Sequence, residues 1–274
     1  MHRFIASSQL HWREYAAELL GTAFNIFVGL SAVVFDFGKG LPMEHLIPDT
    51  GIRLLITGLI FAGSGSLVAI SPLGKLSGAH INPSLSLAFW VQGKMHFQDL
   101  AGYIIGQLLG AILGVWLMTK MWGSYATSVY NGMTLPGVGY SLWSVFLAEV
   151  FITFLLVLSI FIFVSNHRLM RWTPLMVWLL VATLVWQEAP ISGTSLNPAR
   201  SLGPALVTGF WKDQWLYCIA PPLGALLAVA VFRLVPSGRG DVLTCKLFHV
   251  PDYRSIFKNV KAPHLLDGRT HLKS

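Results

Sequence analysis

Six stretches of the chain are almost entirely apolar for about 20 residues, the helix length that crosses a roughly 30 Å hydrocarbon core. They lie at residues 14–35, 52–71, 99–121, 142–164, 172–189 and 215–235. Between them the chain is short, polar and richer in Gly, Pro and charge. The pattern predicts an all-α multi-span membrane protein with six transmembrane helices.

Two stretches break that pattern. SGAHINPSLSL at residues 77–87 and SGTSLNPARSL at residues 192–202 share the frame Ser-Gly-x-x-apolar-Asn-Pro. Asn is a favoured helix N-cap, because its side-chain oxygen accepts from an unpaired N–H of the first turn. Pro is favoured directly after it, where its missing N–H costs nothing. Asn82-Pro83 and Asn197-Pro198 therefore each start a helix. The apolar runs that follow are about ten residues long, or roughly 15 Å, which is half of a membrane.

The two frames belong to an internal repeat. AELLGT at residues 17–22 matches AEVFIT at 148–153, and LGAIL from Leu109 matches LGALL from Leu223. Each half holds three spans, so the second half enters the membrane from the side opposite to the first. Inverted repeats form sites near the bilayer midplane where helices are interrupted. The two half-helices then meet tip to tip and complete a seventh crossing. A lone Asn-Pro reads as a kink; two copies in inverted halves read as a pore. With their oxygens engaged in capping, the Asn amides keep N–H donors for the pore, and the helix N-termini add positive potential. Such a constriction passes neutral hydrogen-bonding solutes and opposes cations and protons. Irregular backbone at that depth must be buried in protein or line a water-filled cavity.

Composition agrees and charge adds orientation. Of 274 residues 54% are hydrophobic and 11% charged, against about 25% charged in a soluble domain. Lys and Arg mark cytoplasmic loops. With both termini inside, the outer side holds only Lys39, Arg53, Lys120, Arg200 and Lys212. The net charge of +7 is this bias together with the tail, so no nucleic-acid partner is expected. The first span is too long for a signal peptide and lacks a cleavage site. Cys218 and Cys245 have neither disulfide nor metal-ligand spacing. No cofactor or metal is expected.

Over residues 14–235 the chain resembles the aquaporin and aquaglyceroporin family, the major intrinsic proteins. The family's paired boxes match as Asn82-Pro83-Ser84 and Asn197-Pro198-Ala199, and LNPARSLGPAL carries the family's filter arginine as Arg200. The resemblance implies a right-handed bundle of six helices plus two re-entrant half-helices. It also implies a passive channel for water and small uncharged solutes, and a homotetramer in the plasma membrane. It implies a narrow ring of Ala62, Val185, Thr194 and Arg200. Water-selective members carry Phe at the first position and His at the second, so this ring should be wider and less polar. It is most similar to that of nodulin-like plant channels and their bacterial relatives, which pass glycerol, urea or metalloid hydroxides. Against a glycerol facilitator, Ser201 stands where those channels place Asp. Ser84 in place of the usual Ala should add a hydroxyl near the centre, and His80 should line the pore.

Glu18 and Glu149 hold equivalent repeat positions inside spans, where carboxylates are costly and functional or paired. The resemblance assigns them to bracing the pore loops; a proton-coupled transporter is the rival reading from another class. A structural membrane protein with a closed pore is a third. An enzyme is not expected, since no nucleophile, base and orienting residue fall together. Glu188, three residues after Val185, should face the outer mouth, near Arg200 or in solvent. Gly102, Gly106, Gly110 and Gly114 form a stripe for close helix packing. The domain reading is a cytoplasmic N-terminus at 1–13, a channel at 14–235 with repeats 14–121 and 142–235, and a basic cytoplasmic tail at 236–274. That tail reads as disordered, with 254–261 as a candidate gating or lipid-binding segment.

Overall fold

A computed structural model describes residues 10–234, 242–250 and 255–258. Six helices are long and apolar enough to cross a membrane: α1 (Trp12–Phe37), α2 (Thr50–Ile70), α4 (Phe97–Trp122), α5 (Leu142–Val164), α6 (Thr173–Ser192) and α8 (Gln214–Leu234). Two half-length helices lie between them, α3 (Pro83–Val91) and α7 (Pro198–Thr208). Their boundaries follow local chemistry. Asp49 caps α2 by accepting from the Ile52 N–H at 2.8 Å, and Ser141 caps α5 through the Ser144 N–H at 3.0 Å. Asn82 and Asn197 cap the half-helices, each followed by Pro in the first turn.

Six crossings leave the chain ends of the bundle on one face, called here the terminal face. At that face Arg233, in the last turn of α8, donates to the Val91 carbonyl at 2.6 Å and to Gln92 Oε1 at 2.7 Å. A cation thus closes the C-terminal end of α3, where the helix dipole favours it. The glycine stripe of α4 packs on α1. A Cβ at Gly106, Gly110 or Gly114 would lie 2.7, 2.3 or 2.6 Å from the carbonyl oxygens of Tyr15, Leu19 or Ala23. Gly224 of α8 stands 2.3 Å by the same measure from the Val150 oxygen of α5, the repeat mate of the Gly110 contact. Small residues let backbones approach this closely.

Part of the tail departs from the sequence reading. Val242, Leu243, Thr244, Cys245, Lys246 and Leu247 are buried, packed against the terminal face and not disordered. The cause is long-range: Leu243 N–H donates to the Val164 carbonyl at 3.2 Å and Leu247 N–H to the Gly78 carbonyl at 3.0 Å, and Val242, Cys245 and Leu247 join the buried apolar core. Of the candidate gating stretch 254–261, only residues 255–258 are described. Cys218 and Cys245 are both free thiols.

Candidate functional site

The first pore loop runs from Ser77 to Asn82 and is held by one carboxylate. Glu18 Oε1 accepts from the Ser77 hydroxyl at 2.6 Å and the His80 N–H at 3.0 Å. Its Oε2 accepts from the Ile81 N–H at 2.6 Å and Gln107 Nε2 at 2.8 Å. Tyr103 donates to the Ser77 carbonyl at 2.6 Å. The loop needs this restraint because Ala79 and Ile81 take φ of 55° and 42°, values a β-branched residue adopts only when the surroundings over-determine it.

The second loop repeats the construction. Glu149 Oε1 accepts from the Ser192 hydroxyl and the Ser195 N–H, both at 2.6 Å, and its Oε2 accepts from the Leu196 N–H at 3.0 Å. Tyr217 donates to the Ser192 carbonyl at 2.7 Å. Thr194 and Leu196 carry φ of 49° and 57°. A carboxylate only accepts, so it consumes loop N–H groups and leaves the loop carbonyls to other donors. Both buried carboxylates are occupied by loop donors. Tyr103 and Tyr217 had no part in the sequence reading; their signal was the shared position in the two repeats.

The tips clasp one another at the centre. Asn82 Oδ1 accepts from the Ser84 N–H and Asn197 Oδ1 from the Ala199 N–H, each at 2.9 Å. Asn82 Nδ2 donates to the Leu196 carbonyl at 2.9 Å, and Asn197 Nδ2 to the Ile81 carbonyl at 2.8 Å. Each amide nitrogen carries two hydrogens, so the clasp uses one and leaves one for the cavity that both asparagines line. Pro83, Ser84, Pro198 and Ala199 are buried behind the tips. The Ser84 hydroxyl is wholly buried behind the tip, and Ser84 is not among the residues that line the cavity.

A cavity of about 310 Å³ runs along these tips. Ala62, Val185, Thr194 and Arg200, the four positions of the expected ring, all lie on its wall. So do two residues that sequence reasoning missed. Phe61 sits with its ring centroid 5.6 Å from the Arg200 guanidinium carbon, within cation–π range. An aromatic therefore stands beside the arginine, one residue from the expected position. Asn25 on α1 donates to the Phe61 carbonyl at 3.0 Å and the Ser64 hydroxyl at 2.8 Å. Its signal was an amide inside an apolar span.

Arg200 donates Nη1 to the Gly132 carbonyl at 2.6 Å, a group from the connection between α4 and α5. Glu188 is not its partner. Glu188 is 7% exposed, and its Oε2 accepts from the Thr194 hydroxyl at 2.8 Å, so it is not in solvent, and among the described residues no ion pair joins it to the arginine. His80 lines the cavity, but both ring nitrogens are engaged, Nδ1 with the Ser86 hydroxyl at 3.0 Å and Nε2 with the Cys245 carbonyl at 2.9 Å.

Comparison with known proteins gives this arrangement a family. Residues 5–232 match the family described as major intrinsic protein. Aquaporin AqpM of Methanothermobacter marburgensis is 34% identical over 238 residues, covering 81% of this chain and 96% of its own. Aquaporin NIP1-1 of Arabidopsis thaliana is 33% identical over 226 residues, covering 80% and 72%. The X-ray structure of the aquaglyceroporin from Plasmodium falciparum superposes with a TM-score of 0.68 at 24% identity, covering 84% of this chain and 98% of that one, a likeness of fold. Two capped half-helices meeting tip to tip inside six apolar spans, together with this match over most of the chain, place it among the major intrinsic proteins, as a passive multi-pass membrane channel for water and small solutes and not an enzyme.

Proposed function

We propose that this channel has a wide outer ring, formed by Ala62, Val185, Thr194 and Arg200, and passes water together with glycerol-sized solutes or metalloid hydroxides. The carrying observation is a pair of small positions: Ala62 and Val185 face the same cavity as Arg200, and neither adds an aromatic to Phe61, which stands beside the arginine, nor the donor of an imidazole. Thr194 sharpens the chemistry. Its hydroxyl hydrogen goes to Glu188, so toward the cavity the oxygen can only accept, while Arg200 donates. A solute hydroxyl that donates to one and accepts from the other satisfies both. Asn82 and Asn197 form the central constriction, and His80 lines the pore toward the terminal face.

The positive bias of the terminal face supports a cytoplasmic location for both chain ends and for residues 236–274, in the plasma membrane. Family resemblance supports a homotetramer, each subunit with its own pore. Stopped-flow swelling of proteoliposomes in glycerol or boric acid, against shrinkage in sorbitol, tests the ring. Glycerol should enter faster than into empty liposomes, and Ala62→Phe should suppress glycerol flux about tenfold, some 1.4 kcal/mol of barrier, while reducing water flux far less. Equal loss of both fluxes would remove Ala62 from the ring.

A further inference from the structure

The terminal face carries a contact that a simple pore does not need. Residues 242–247 enter the mouth below the first pore loop and are buried there. Leu247 joins His80, Ile81 and Leu85 on the wall of the central cavity. The Cys245 carbonyl occupies His80 Nε2. Lys246 Nζ donates to the Lys75 carbonyl at 2.7 Å, and the Lys258 N–H to the Lys94 carbonyl at 2.7 Å. Phe257 stacks on the His80 ring at 5.5 Å, and Phe89 lies on the ring at 4.8 Å.

We propose that residues 242–247, with Phe257, are an internal plug that closes the pore at the terminal face, so that conduction requires their release. Three observations converge on it. The segment is tied to the pore loop itself, through Gly78 and His80, and not only to the lipid-side helices. It puts an apolar side chain, Leu247, on the conduction path. It also removes the polar groups a passing solute would use, because His80 has Ser86 on one nitrogen and Cys245 on the other and is 1% exposed. A desolvated solute that meets an apolar side chain and a saturated imidazole loses hydrogen bonds without replacement, and an unmade buried hydrogen bond is expensive. The contacts are backbone-led and bury short apolar side chains, so the plug is held by fit more than by charge.

The test uses the full-length protein in proteoliposomes, in a Cys218→Ser background that leaves Cys245 as its one thiol. Two quantities are measured: osmotic water permeability by stopped flow, and the rate at which a maleimide labels Cys245. With the plug in place, wild-type labelling is slow and water permeability is low. Phe257→Ala, at a partly exposed position, and Leu247→Gly should each speed labelling and raise water permeability together, by about tenfold if each shifts docking by roughly 1.4 kcal/mol. Faster labelling with unchanged permeability would show that the segment packs without obstructing. Wild-type labelling as fast as that of the unfolded chain would show that it is not docked. Either result overturns the proposal. Water is the reporter of the plug, and the glycerol-to-water ratio that tests the wide ring is read in the released Phe257→Ala protein as well as in the wild type, so failure of either reading is seen separately.

Discussion

The two pore loops are near copies. Ser77, Gly78 and Ile81 stand where Ser192, Gly193 and Leu196 stand in the second, each loop hangs from one buried carboxylate, and each is pinned by one tyrosine. What differs is the pair of variable positions and the cover. Ala79 and His80 in the first loop are Thr194 and Ser195 in the second. The first loop is covered by the chain's own tail, through the Cys245 carbonyl and the Leu247 N–H. The second is covered by the connection between α4 and α5, through the Gly132 carbonyl on Arg200 and the Thr134 carbonyl on Gln214. The backbone geometry, fixed by a shared carboxylate, makes a pore twice over; the two unshared side chains and the cover decide what each mouth admits. One end of the cavity carries Thr194 and Arg200 on its wall, and the other carries Leu247 of the tail.

Removing the braces tests the shared half of this comparison and should have the largest effect. Glu18→Ala orphans four donors and Glu149→Ala orphans three, at about 1–3 kcal/mol for each buried donor left unpaired. Both variants should lose most of their thermal stability in detergent, Glu18→Ala more than Glu149→Ala. A brace variant that melts with the wild type would show that the loop strain is held elsewhere.

The unshared half is tested at Glu188, which has no counterpart at the first loop. Glu188→Ala frees the Thr194 hydroxyl to donate into the cavity, and the glycerol-to-water flux ratio should shift by about fivefold, the worth of one hydrogen bond near 1 kcal/mol. Glu188→Gln keeps an acceptor oxygen and should restore most of the wild-type ratio. A ratio indifferent to both substitutions would leave Glu188 with packing alone.

The smallest effect concerns the cover of the first loop. Burial pushes the Lys246 ammonium down from 10.5 to about 8, opposed by the nearby Glu14 carboxylate. Docked, the tail therefore binds fewer protons than released between pH 8 and 10.5, so docking strengthens as pH rises through that window and is level below it. Burial pushes the Cys245 thiol up, with Lys94 opposing, and this group acts in the reverse sense above its ordinary value. In a Cys245→Ser background water permeability should fall modestly from pH 8 to 10.5, and Lys246→Met should flatten the profile. A rise in permeability over that window would contradict docking through Lys246.

The sequence by itself determined the six spans, the two half-helices, their capping residues and the inverted repeat. All of these are local: an apolar run of fixed length, an Asn before a Pro, a motif found twice. The tertiary structure decided which residues face the cavity and what answers them. Phe61 and Ala62 are neighbours, and only the rotation of α2 against α1 brings the aromatic under Arg200. Glu188 was legible as an odd carboxylate at the outer mouth, but its partner depends on the left-handed turn at Gly193 and Thr194. The tail read as polar and unstructured because its short apolar run, Val242 to Leu247, has no periodicity of its own. It acquires a place only when the Gly78 carbonyl and the His80 ring, 165 residues from Cys245 in the second case, present it with a surface that no local pattern encodes.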